Sequence, residues 1–160
     1  MTRTKVSRRK LFATGACVLV GAAALPGPER ASALRGQHLV NEEIVRRYYA
    51  AWENKDLDTF NALLADNFTF TSAAGDDHIS KSTFKSQCWD NQVDFIGHFD
   101  LEQICTGEDD AFVKYLCHTK NGKTFRNVEY LRITSGKLES IECYFGAQSS
   151  FPSAVSNGQK

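Results

Sequence analysis

One carboxylate in this sequence stands where an apolar side chain is expected. In residues 126–133, RNVEYLRI, a β-strand would alternate its side chains between two faces. Glu129 then shares a face with Asn127 and with three apolar residues, Phe125, Leu131 and Ile133. Burial disfavours the ionised form of a carboxyl group, and a neutral carboxylic acid can donate a hydrogen bond to a ligand oxygen. This position therefore predicts a pocket acid with a raised pKa.

Two structural roles for Glu129 remain open beside that interpretation. The side chain could form an ion pair with an arginine across the sheet. It could also face outward, into an interface between two copies of the chain, if the strand is shifted by one residue. Val128 and Tyr130 compete with the apolar residues named above for the inward face, so the alternation alone does not decide.

The sequence shows no pattern that indicates a metal or a cofactor. No two of the four histidines have a ligand spacing such as H-x-x-x-H; they are His38, His78, His98 and His118. The glycine-rich phosphate-binding motifs and the G-x-S-x-G motif of serine hydrolases are missing from the sequence. We therefore predict neither a metal site nor a bound cofactor.

Three amphipathic helices are predicted, each with a capping side chain at its start. The first covers residues 41–54 and begins at Asn41, with acidic residues in its first turn. Its apolar stripe includes Tyr48, for which packing in the core is the simpler role. The second helix begins after Asp56, and the third after Ser80 or Ser82.

The remaining segments read as strands. Residues 68–72, FTFTS, alternate aromatic residues with threonine and serine. After residue 90 the pattern changes to four strands, in which Gly97 indicates a bulge or bend and the pair Asn121-Gly122 indicates a hairpin turn. Helices followed by an antiparallel meander are typical of an α+β fold.

Over about residues 41–146 the chain resembles the SnoaL-like and ketosteroid-isomerase-like members of the nuclear-transport-factor-2-like superfamily. Two segments carry the resemblance: IVRRYYAAWENKDLDTFNALLADNFTFTS, a helix–turn–helix–strand signature, and FRNVEYLRITSGKLESIECYFG, the last hairpin. The resemblance implies a cone-shaped α+β barrel over residues 34–147, with the N-terminal helices packed in a strongly curved antiparallel sheet. It also implies an apolar pocket and a homodimer that packs through the outer face of the sheet.

The resemblance further implies roles for individual residues. Tyr48 matches the tyrosine and Glu129 the neutral acid that together stabilise an oxyanion in that family. The position of the family's general base holds Ser72, whose hydroxyl cannot remove a proton from carbon unaided. We expect His78 to replace it, with Asp76, Asp77 or a pocket water as alternatives and a solvated turn as the structural role of the two aspartates.

Eight further residues are expected in the pocket: Trp52, Phe70, Phe84, Trp89, His98, Asn127, Cys143 and Phe145. For His98 and the aromatic residues, an ordinary structural role is the alternative. The predicted partner is a small hydrophobic ligand that bears a carbonyl or hydroxyl group. The chemistry would be of the isomerase, cyclase or hydrolase type; the alternative is a non-catalytic binding or dimerisation module.

Residues 1–33 have the pattern of a signal peptide. A cationic segment, MTRTKVSRRK, precedes an apolar stretch over residues 11–25, and ASA predicts cleavage between Ala33 and Leu34. SRRKLF resembles the twin-arginine motif, while a Sec signal and a lipoprotein signal at Cys17 are alternatives. The pattern predicts a bacterial periplasmic or extracellular protein that meets the membrane only during export. Residues 148–160 are expected to form a flexible tail.

The charge distribution argues against binding to nucleic acid. Residues 1–33 hold six of the 19 basic residues and one of the 19 acidic residues, so residues 34–160 carry a formal charge of −5. The cysteines that remain after cleavage show no C-x-x-C spacing, and we expect buried free thiols; they are Cys88, Cys105, Cys117 and Cys143.

Overall fold

The structure is a computed structural model that describes residues 27–145. Its helices are α1 (Pro28–Asn54), α2 (Leu57–Leu63), α3 (Lys81–Phe84) and α4 (Asp90–Gln92), with a π-helical turn over Lys85–Trp89 between the last two. Its strands are β1 (Leu64–Ser72), β2 (Ile79–Ser80), β3 (Ile96–Thr106), β4 (Asp110–Thr119), β5 (Thr124–Thr134) and β6 (Lys137–Tyr144).

The strands form one curved six-stranded sheet in the order β2-β1-β6-β5-β4-β3. Strands β3 to β6 are an antiparallel meander, while β1 joins β6 in parallel. Helices pack on the concave face of the sheet, which confirms the predicted α+β class and its cone-like form. In β5 the buried side chains are those of residues 125, 127, 129, 131 and 133, which confirms the predicted alternation.

Helix α1 begins earlier than its sequence predicted. It starts at Pro28, with Glu29 in its first turn, so the prediction of Asn41 as the N-cap is wrong. Asn41 is instead fully buried within the helix, and its Nδ2 donates to the backbone oxygens of Gly107 and Glu108 at 3.0 and 3.2 Å. In the sequence alone, an asparagine that bonds the carbonyls of the β3–β4 turn cannot be told from a capping residue.

Most of the predicted signal peptide, residues 1–26, lies outside the described residues. The predicted cleavage point between Ala33 and Leu34 lies inside α1. Residues 28–33 are exposed, so cleavage there would shorten the helix without removing a buried side chain. The predicted tail, residues 148–160, also lies outside the described residues.

Strand β3 has a β-bulge near its start, at Gly97, as the sequence predicted. Its pairing with β4 shifts between Ile96 and His98, and a Cβ on Gly97 would lie 2.8 Å from the backbone oxygen of His118. Because of this bulge, Ile96 and Phe99 both face the core, whereas His98 faces outward.

Aromatic side chains fill the core between the helices and β1. The rings of Trp52, Phe60 and Trp89 meet with centroid distances between 4.2 and 5.4 Å, and Phe84 stacks on Phe70 at 4.5 Å. This packing fixes one end of α1 against the sheet.

Candidate functional site

A cavity of about 430 Å³ lies between α1 and the concave face of the sheet. This volume falls in the range of about 300–1,000 Å³ that is usual for small-molecule sites. Of the eight side chains expected in the pocket, six line the cavity: Trp52, Phe70, Phe84, Asn127, Cys143 and Phe145. Tyr48 and Glu129 also line it, and so do Tyr49 and Tyr115.

Glu129 is held on the cavity wall by two tyrosines. Its side chain is 7% exposed; Tyr49 Oη lies 2.7 Å from Oε2, and Tyr115 Oη lies 2.9 Å from Oε1. Tyr49 comes from α1, whereas Tyr115 and Glu129 come from neighbouring strands β4 and β5. Both structural alternatives are therefore wrong, since the carboxyl faces inward and its partners in the protein are two hydroxyls and a thiol rather than an arginine.

Burial raises the pKa of Glu129 above its ordinary value. Hydrogen bonds from Tyr49, Tyr115 and Cys143 act in the opposite direction, but desolvation is the larger effect. Burial also raises the pKa of both tyrosines well above the usual range, and the charge of Glu129 adds to that effect. The tyrosines therefore stay protonated, and the proton that this cluster gains or loses is that of Glu129.

Asn127 and Cys143 extend the cluster along the wall. Asn127 Nδ2 lies 2.9 Å from Tyr115 Oη and 3.4 Å from Cys143 Sγ. When Glu129 is ionised, each hydrogen of the cluster has an acceptor: the two tyrosines and the thiol donate to the carboxylate, and the amide donates to Tyr115 and Cys143. Protonation adds one hydrogen that has no acceptor among these bonds, so it is available to an oxygen in the cavity.

The tyrosine of α1 that bonds Glu129 is Tyr49, not the adjacent Tyr48 that the family resemblance indicated. Tyr48 lines the same cavity and its ring meets that of Tyr49 at 5.2 Å, but its pKa is set by burial, by the charge of Glu129 and by a hydrogen bond with Trp52. The sequence contained a signal for Tyr49, which follows Val45 by one helical turn. It also contained one for Tyr115, which alternates in phase with the buried Val113.

A second carboxylate reaches the cavity from the loop after β1. Ser72 Oγ donates to Asp76 Oδ2 at 2.5 Å, and the Ser72 backbone N–H donates to the Asp76 carbonyl oxygen at 3.0 Å. Ser72 and Asp76 both line the cavity. At the position where the family has its base, this chain thus has Ser72, which forms hydrogen bonds to Asp76 four residues further along.

His78 is not where the sequence analysis expected it. Its side chain is 74% exposed and bonds Asp77, and it lies in a groove on the outer face of the sheet, beside Arg132 and Glu139. The β1–β2 pairing places Ile79 opposite Phe70, so the loop closes with Asp76 and His78 on different sides. The structure therefore gives His78 no contact with the cavity.

Two residues expected in the pocket lie elsewhere. His98 is on the outward side of the β3 bulge, where its ring nitrogens lie 3.0 Å from Glu53 and 3.1 Å from Asp100. Trp89 is packed in the aromatic core, against Trp52 and Phe60, rather than on the cavity wall.

The thiols on the cavity wall are poor nucleophiles. Burial raises the pKa of Cys88 to about 12, with contributions from the charges of Asp76 and Glu129, and it raises the pKa of Cys143 further. All four cysteines in the described part of the chain are free, but Cys105 is exposed and Cys88 only half-buried, so the expectation that all four are buried is wrong. Within residues 27–145, no three potential ligands are grouped to hold a metal ion.

The chain belongs to the SnoaL-like domain family, whose pattern matches residues 45–141. No curated protein matches the chain significantly. Among residues 27–145, no helix combines the length and the hydrophobicity that a membrane crossing requires.

Solved structures with the same fold have varied activities. A LEH-like epoxide hydrolase from M. tuberculosis is 15% identical, with a TM-score of 0.60 over 72% of this chain and 89% of its own. A candidate polyketide cyclase from Xanthomonas campestris is 18% identical, with a TM-score of 0.59 over 74% and 99%. A candidate ketosteroid isomerase from Kribbella flavida is 12% identical, with a TM-score of 0.59 over 78% and 91%. At this identity the likeness establishes the fold alone.

The raised pKa of Glu129 predicts how stability depends on pH. The folded state binds the proton more tightly than the unfolded state, so this contribution is complete below the ordinary glutamate pKa and is lost as pH rises through the folded pKa. Each unit of the difference corresponds to about 1.4 kcal/mol. As pH rises from the ordinary glutamate pKa through the folded pKa, urea unfolding should show that the free energy of unfolding of the wild type falls relative to that of Glu129→Gln.

Glu102 is the matched control. Hydrogen bonds from Lys114 and Arg126 lower its pKa, so its contribution is present above the ordinary pKa and is lost as pH falls. The difference between the wild type and Glu102→Gln should therefore change with the opposite sign. A Glu129→Gln profile parallel to that of the wild type would show that the buried carboxyl titrates normally.

Proposed function

We propose that the chain binds a small, mainly apolar carbonyl compound in the cavity and catalyses proton transfer at the carbon next to the carbonyl. The observation that carries this proposal is the buried Glu129 cluster, which in its neutral state has a hydrogen available to a ligand oxygen. The isomerase and cyclase activities of the candidate relatives with this fold are compatible with such a step.

Asp76 is the base in this proposal. Its carboxylate would remove a proton from the α-carbon, and the electron pair of the broken C–H bond would move onto the carbonyl oxygen as an enolate. The hydrogen from neutral Glu129, given directly or through Tyr49, would bond that oxygen. Return of the proton from Asp76 to carbon completes the step, so no oxidant, metal or cofactor is required.

Surrounding side chains support both roles. The cavity wall is largely aromatic, and an apolar surrounding favours the neutral form of Glu129. Ser72 keeps the Asp76 carboxylate hydrogen-bonded, and Cys88 is near enough to both carboxylates for each to affect its pKa. One cavity thus holds an acid and a base on different elements.

A non-catalytic binding module is the second candidate. The observation that favours it is Ser72, because the strand position that the resemblance assigns to the base carries no carboxylate. In that case Glu129 and its tyrosines would only orient the ligand.

Hydrogen–deuterium exchange separates the two candidates. With 1-tetralone in D₂O, NMR should show exchange at the α-carbon that is faster with the wild type than in buffer. Asp76→Asn should slow this exchange by about 100-fold or more, since it removes the base, and Glu129→Gln by about 10-fold or more.

Asp77→Asn is the matched control for the base. Asp77 is the next residue along the loop, it is exposed, and it bonds His78 away from the cavity, so its removal should leave the rate unchanged. Calorimetric titration with 1-tetralone completes the comparison: binding without exchange supports the binding module, and an unchanged rate in Asp76→Asn would exclude that residue as the base.

We further propose a homodimer through the outer face of the sheet. Phe112, Val128 and Tyr144 are exposed there on three adjacent strands, and Phe112 meets the ring of Tyr130 at 4.9 Å. Val128→Glu should convert the dimer to a monomer in sedimentation velocity. Leu39→Glu, which alters an exposed apolar side chain on α1, should not. A monomeric wild type would contradict the proposal.

Export is supported by the sequence of residues 1–33. In a bacterial host, the exported protein should have the mass of a chain that begins at Leu34. Replacing Arg8 and Arg9 by lysine should retain the precursor in the cytoplasm if the route is the twin-arginine one. Processing that is unaffected by this change would indicate the Sec route, and a full-length mass in every fraction would contradict export.

A further inference from the structure

Asn127 has an acceptor that the protein does not use. The side chain is 4% exposed and lies on the cavity wall, yet its Oδ1 is buried without a hydrogen-bond partner. It is the one such side-chain atom among residues 27–145. A buried acceptor without a donor costs about 1–3 kcal/mol, so this atom calls for an explanation.

Rotation of the amide does not remove the problem. Half a turn would exchange the positions of Oδ1 and Nδ2, so that Oδ1 would face Tyr115 Oη and Cys143 Sγ. The same turn would take both Nδ2 hydrogens away from their present acceptors. The observed orientation is therefore the better one, and among residues 27–145 no group supplies Oδ1 with a hydrogen.

We propose that Asn127 is a specificity residue that accepts a hydrogen bond from a hydroxyl or amine group of the ligand. This inference deepens the proposed function and rests on its ligand-binding part. Asn127 and Glu129 are two residues apart on one face of β5, which separates their Cα atoms by about 7 Å. The ligand class is therefore a compound with a carbonyl at one end and a hydrogen-bond donor at about that distance, rather than a simple ketone.

Two probes of nearly equal shape test this inference. In 6-hydroxy-1-tetralone a donor lies across the ring from the carbonyl, and in 6-fluoro-1-tetralone a fluorine replaces it. Calorimetry at about pH 6, where the phenol is neutral, should show that the wild type binds the hydroxyl compound more tightly by roughly 5- to 150-fold. Asn127→Leu should bind both probes with similar affinity.

Tyr48→Phe is the matched control, because the Tyr48 hydroxyl lies in the same cavity but bonds Trp52, whereas Asn127 bonds Tyr115 and Cys143. This variant should retain the preference for the hydroxyl compound. Binding of the fluoro compound by Asn127→Leu at the wild-type affinity shows that the cavity is intact. Equal affinities in the wild type, or a preference that survives in Asn127→Leu, would overturn the inference.

The outcomes also separate this inference from the proposed function. A hydroxyl preference without exchange of the α-protons would leave the specificity role intact and refute the catalytic step. If the α-protons of 1-tetralone exchanged but the two probes bound with equal affinity, the catalytic step would be supported and the specificity role of Asn127 refuted. If neither probe bound the wild type, the ligand-binding proposal would fail and this inference with it.

Discussion

The burial of one carboxyl group between two tyrosines determines the character of this cavity. Glu129 bonds Tyr49 from α1 and Tyr115 from β4, so the packing that holds the helix against the sheet also buries the carboxyl group. Because desolvation is the larger effect on the pKa of Glu129, the neutral acid is the favoured form over a wider pH range than for an exposed glutamate. The stability of the fold and the proposed chemistry therefore depend on one buried cluster.

Periodicity in the sequence predicted the parts of the structure that repeat. The order of helices and strands followed from the change of period after residue 90, and the inward face of β5 followed from the alternation around Glu129. A helix places Tyr48 and Tyr49 side by side on the surface that a curved sheet covers. Which hydroxyl meets Glu129 depends on the rotation of α1 against the sheet, and the sequence alone does not contain that angle.

The residues whose positions the sequence predicted wrongly lie where the regular repeat of a strand or helix is interrupted. The bulge at Gly97 changes the face of His98, and the closure of the β1–β2 loop turns His78 outward while Asp76 turns inward. Asn41 shows the same limit for helix ends, because its capping chemistry serves the carbonyls of a distant turn. Each case is decided by a tertiary contact between segments that are far apart in the sequence.

The two carboxylates of the cavity, Glu129 and Asp76, are held in place by different kinds of contact. Glu129 stands in the middle of a strand that pairs on both sides, whereas Asp76 belongs to a loop that Ser72 holds through its hydroxyl and its backbone N–H. Substitutions or length changes in that loop can replace the proposed base without disturbing the strands. The proposed acid is thus held by the paired strands of the barrel, whereas the proposed base belongs to a segment that can change in length without unpairing a strand.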